Sequence, residues 1–84
     1  MLMHTLKKRL KEIDERYEIK RDGDIYFIRY KERFHTNTLI SFKENKVKFH
    51  APILSAMGND LYFPPEALPD LWKIIKLISE YLNG

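Results

Sequence analysis

Met3, Leu6, Leu10, Ile13 and Tyr17 follow one another at alternating steps of three and four, which places one narrow apolar stripe along a helix. Lys, Arg, Glu and Asp fill most of the positions between, so the spacing predicts a surface helix from Thr5 to Arg16. Thr5 offers a hydroxyl to the unpaired amides of the first turn, although Lys8 stands where a capping box wants an acid.

At Tyr17 the period changes to two. Tyr17-Glu18-Ile19-Lys20-Arg21 alternates, and Asp22-Gly23 is a dipeptide that tolerates the positive φ of a type I′ hairpin turn. With those two residues as the loop, Ile19 opposes Tyr26 and Tyr17 opposes Ile28. Opposed residues share a face, so one side collects Tyr17, Ile19, Tyr26, Ile28 and Tyr30. A second hairpin turns in Lys43-Glu44-Asn45-Lys46 and opposes Phe42 to Val47 and Ile40 to Phe49. A short link at Lys31-Glu32-Arg33 sets Tyr30 against Phe34 and Ile28 against Thr36, joining both hairpins into one antiparallel meander. A slip of one residue in either hairpin would turn its apolar set outwards, so the shared face constrains the register.

Between Pro52 and Pro65 no period is clean. Gly58-Asn59-Asp60 marks a turn, and Leu61 to Phe63 reads as a short fifth strand ended by Pro64-Pro65. A last helix follows, with Pro69 in its first turn and Asn83-Gly84 as its stop. Leu71, Ile74, Ile75, Ile78, Tyr81 and Leu82 give it a broad stripe that Trp72 and Leu77 widen beyond what one sheet contact needs. It is therefore expected to touch two neighbours, the sheet and the first helix, or a second subunit. The reading is a single α+β domain over residues 1–84: an N-terminal helix, a four-stranded antiparallel meander with a short fifth strand, and a C-terminal helix, both helices on one face of the sheet.

Composition narrows the functions. A chain of 84 residues has room for one core and few apolar residues to spare. No cysteine is present, which removes thiol catalysis and thiolate metal sites and points to the cytoplasm. Neither a secretory leader nor a membrane-spanning stretch is read, because Lys73, Lys76 and Glu80 interrupt the longest apolar-rich run. Residues 1–50 carry 13 Lys or Arg against 8 Asp or Glu, a balance of +5, and residues 51–84 carry 2 against 4, a balance of −2. The basic residues are interleaved with acids, as on an ordinary solvated surface.

Candidate chemistry is sparse. His4, His35 and His50 are the groups that titrate near neutrality, but in the expected register His50 and His35 lie about 13 Å apart along the strand direction, too far for one metal. Ser41, Ser55 and Ser79 lack a glycine-flanked elbow, and the isolated Gly23 and Gly58 form no phosphate loop. No catalytic residue, metal ligand or cofactor is assigned, and the chain is not expected to be an enzyme.

Surfaces carry more information. Turned away from the apolar set, the outer sheet face is expected to show Lys20, Ile25, Phe27, Arg29, Leu39, Lys48 and His50. Its exposed apolar residues suit a protein partner or a second copy of the chain. Its cations and its ring suit, as the alternative, single-stranded nucleic acid. A weaker second surface comprises Leu54, Met57 and Tyr62 in the irregular segment and Trp72 at the start of the last helix. The leading expectation is a non-enzymatic binding or regulatory protein that acts through protein–protein contacts, as a homodimer in one form.

Overall fold

The computed structural model describes residues 1–31, 33, 36–50 and 68–84. The elements run α1 (Met3–Ile13), β1 (Tyr17–Asp22), β2 (Ile25–Lys31), β3 (Thr36–Lys43), β4 (Lys46–Phe49) and α2 (Leu68–Asn83). The strands form one antiparallel sheet in the order β1-β2-β3-β4. Leu6 and Leu10 of α1, and Ile74 and Ile78 of α2, join Tyr17, Ile28, Tyr30, Ile40 and Phe42 in one buried cluster. Both helices thus lie on the apolar face, in an α+β arrangement.

The first helix begins earlier and ends earlier than its periodicity suggests. Thr5 is no cap: its amide and that of Leu6 both donate to the Leu2 carbonyl, so the first turn closes on Leu2. At the other end Asp14 turns extended, with φ −163° and ψ 134°. Its carboxylate accepts from the Arg16 amide at 2.9 Å, from Nε at 3.0 Å and from Nη2 at 2.7 Å. That clamp lets Tyr17 open β1 instead of continuing the apolar stripe of the helix. The same bonds hold the Asp14 carboxyl at about 2, well below its ordinary value.

The first hairpin differs from its expected turn by one position. Asp22 opposes Ile25, so the loop is Gly23-Asp24, and Gly23 takes φ +64°. Glycine at the first loop position with positive φ belongs to the type II′ turn, the other geometry that suits strand twist. The pairs become Tyr17 with Tyr30 and Ile19 with Ile28. This is a slide of two residues from the expected register, and an even slide leaves every side chain on its expected face.

Between β2 and β3 the link is longer than expected, and Ile28 opposes Ile40 instead of Thr36. The register then shifts between Ile28 and Arg29, because Arg29 opposes Thr38 and leaves Leu39 without an opposite residue on β2. Such an extra residue is a β-bulge, which re-aims the side chains around it. Beyond it the faces exchange: Asn37 now opposes Tyr30 and Thr38 opposes Arg29. The second hairpin has the expected register, with Ile40 opposite Phe49 and Phe42 opposite Val47, closed by the two-residue loop Glu44-Asn45.

Helix α2 has Pro69 and Asp70 in its first turn. The Tyr17 hydroxyl donates to Asp70 Oδ2 at 3.0 Å, tying β1 to the start of α2. Burial first, and then the Asp70 carboxylate, push the Tyr17 phenol far above its ordinary pKa. The Phe42 and Tyr81 rings meet edge to face at 5.9 Å, and Arg9 pairs with Glu80 across the two helices at 3.3 Å. The sheet and the first helix are therefore the two neighbours of α2. Among the described residues no helix is long and apolar enough to cross a membrane. The expected fifth strand, Leu61 to Phe63, lies outside the described residues.

Candidate interaction surfaces

The register assembles the outer face from the middle outwards. Lys20 opposes Phe27, Phe27 opposes Ser41 and Ser41 opposes Lys48, so these four form one row across the sheet. His50 follows β4 and its Nε2 lies 2.9 Å from Ser41 Oγ, which brings the imidazole to 6.3 Å from the Phe27 ring. Burial, and then the Lys48 ammonium, hold the His50 imidazole below its ordinary pKa. Arg29 stands 3.9 Å from Glu18 and keeps a buried Nε without a hydrogen-bond partner among the described residues.

The face is less open than the alternation suggested. Lys20 and Lys48 are exposed, but Ile25, Phe27, Arg29 and His50 are half-buried. Leu39, expected on this surface, is 0% exposed and belongs to the core cluster, as does its neighbour Ile40. It sits at the bulge, where strict alternation no longer assigns the face. Leu39 is thus a core residue and is not available to a partner.

The second surface is expected in Trp72 but not in its β4 wall. By helical spacing Trp72, Ile75, Ser79 and Leu82 fall on one stripe of α2, on the side away from α1. Ile75, Ser79 and Leu82 border a cleft of about 260 Å³ whose other wall is Val47 and Phe49 of β4, with Ile40 and Ile78 at its base. Val47 is 43% exposed and Phe49 37%, although both lie on the apolar face. Trp72 is 78% exposed. Every residue of β4 is exposed, and among the described residues β4 has one neighbouring strand. The cleft is therefore an apolar groove flanked by a sheet edge that no other described strand pairs.

Alternation marks Val47 and Phe49 as inward-facing, but it does not say how far the helices reach across the sheet. The signal in the sequence is the width of the α2 stripe, larger than one sheet contact requires. Trp72, from the weaker set, is exposed one turn before Ile75 but does not line the cleft, whereas Leu54, Met57 and Tyr62 lie outside the described residues, as does His35.

Among the described residues no catalytic geometry is assembled on either surface. The Ser41–His50 contact has no described carboxylate bonded to the imidazole, and among the described residues no three His, Asp or Glu side chains gather as a metal site. Compared with models of protein families, with curated proteins and with solved structures, the chain matches none.

Proposed function

We propose that this protein is a non-enzymatic binding module that takes a protein segment into the groove between β4 and α2. The observation that carries the reading is the exposure of Val47, Phe49 and Trp72 beside a concave apolar cleft. A small domain has few large apolar residues to leave outside its core, and contiguous apolar surface on a small domain marks a contact site. Tryptophan in such a setting is a characteristic anchor of binding energy. The cysteine-free composition suits work in the cytoplasm.

Nucleic acid is the second reading. Its support is the row Lys20-Phe27-Ser41-Lys48 with His50 as a further ring. Base stacking needs open ring faces, however, and both Phe27 and His50 are half-buried. The groove is the more open surface, so the protein reading is preferred.

Selection of random peptides on the immobilised protein tests this. Binders are expected to be enriched and to lose at least about tenfold in affinity on Val47→Asp or Trp72→Glu, substitutions at exposed positions that spare the core. Enrichment of binders indifferent to both substitutions would move the site elsewhere. No enrichment, with single-stranded oligonucleotide binding that weakens steeply with salt, would favour the second reading. Sedimentation of the free protein distinguishes a second copy of the chain as the occupant.

A further inference from the structure

Resting on the groove reading, we propose that the bound segment is an acidic β-strand: an extended peptide that pairs with the edge of β4 left unpaired among the described residues and alternates large apolar residues with Asp or Glu. The first support is the backbone. His50 donates its amide to the Leu39 carbonyl at 2.9 Å, which fixes the phase of the ladder between β3 and β4. In an antiparallel pair the amides of alternate residues point to the same neighbour. Lys46 and Lys48 therefore share the phase of His50 and bond towards β3, whereas Val47 and Phe49 direct their N–H and C=O groups away from it. Those same two residues form the β4 wall of the groove.

A strand added at this edge is consequently sorted by the pleat. Its residues opposite Val47 and Phe49 enter the groove and meet Ile75 and Leu82, so they should be apolar. Its residues opposite Lys46 and Lys48 lie on the other face, beside two exposed ammonium groups. Lys43 directly opposes Lys46, and among the described residues no carboxylate pairs with any of the three. Alternating acids in the ligand would neutralise this row.

The ordinary explanation of such lysines is that they guard an exposed edge against chance pairing. That role accounts for the charge but not for the apolar groove beside it. The charge does disfavour one occupant. A second copy pairing antiparallel through β4 sets a lysine against the same lysine of the other copy when centred on Lys46 or Lys48, or Lys46 against its Lys48 when centred on Val47, and like charges directly opposed are unfavourable; a pair centred on Phe49 avoids this but overlaps the two β4 strands at Phe49 alone. An acidic strand meets the same lysines with the opposite sign.

The test uses the whole protein, isotope-labelled, with a capped octapeptide of alternating valine and glutamate, and the valine–lysine octapeptide as control. Amide exchange at Val47 and Phe49 is expected to slow at least about tenfold on adding the glutamate peptide, while Lys46 and Lys48, already bonded to β3, change little. Lys46→Glu with Lys48→Glu should weaken that peptide by about tenfold and improve the lysine peptide. Val47→Pro removes an outward N–H that serves no bond to β3, so it should weaken binding with the rest of the spectrum retained. Equal binding of the two octapeptides, or binding without protection at Val47 and Phe49, overturns the proposal. If the glutamate peptide fails while groove-dependent peptides from the selection still bind, the strand proposal falls and the groove reading stands. If neither binds, both fall.

Discussion

β1 and β4 are the two outer strands of the described sheet, and they are put to different use. β1 gives Tyr17 to the core, rests Ile19 against it and is packed by α1. β4 gives the core nothing: Val47 and Phe49 face the helix side yet remain exposed, because the helices cover β1 to β3 and leave a groove at the far edge. Full burial of such side chains is worth roughly 1.5–3 kcal/mol each. Much of that stabilisation is unrealised within the described residues and is available to a ligand.

This contrast sets the scale of expected effects. Ile28→Ala, in the centre of the core, should cost about 2–5 kcal/mol in urea unfolding. Phe49→Ala, truncating a larger side chain on β4, should cost less, about 1–2 kcal/mol, because the site is already partly open. Comparable losses would mean that β4 is as structural as the strands beside it. Tyr17→Phe comes next: it deletes the bond to Asp70 that anchors β1 beneath α2, and about 1 kcal/mol is expected.

Acid affects the two regions in different ranges. His50, beside β4, has a pKa below its unfolded value, so its neutral form favours the native state and that contribution is present above the unfolded pKa of about 6.5. It is lost as pH falls through the folded pKa. His50→Gln should therefore flatten the stability profile below about pH 6.5. Asp14, ahead of β1, contributes above its unfolded pKa of about 3.9 and loses that contribution as pH falls towards about 2. Asp14→Asn should cost only a few tenths of a kcal/mol at neutral pH, since the Arg16 pair is close to solvent.

The element order and both hairpin faces were legible because periods of three to four and of two are direct images of helix and strand geometry. What escaped was local. Gly23 admits positive φ at either loop position, so Asp22-Gly23 and Gly23-Asp24 were both compatible turns, and choosing between them moved the register by two without moving a face. The bulge at Leu39 has no compositional mark, since Thr38-Leu39-Ile40 reads as continuous strand, and for that reason Leu39 was placed on the wrong surface. The groove depends on how far two helices extend across four strands. Helix placement follows from packing at a distance, which alternation along one strand does not encode.

Both the groove and the strand proposed to fill it require an open β4 edge in the free protein, and amide hydrogen exchange reads this directly. Val47 and Phe49 are expected to exchange within about tenfold of unprotected rates, while the amide of Lys31, bonded to the Arg16 carbonyl at 2.9 Å on the β1 side, is strongly protected. Protection of Val47 and Phe49 approaching that of the core strands would show that the edge is already paired, and would contradict both the groove and the strand that is proposed to fill it.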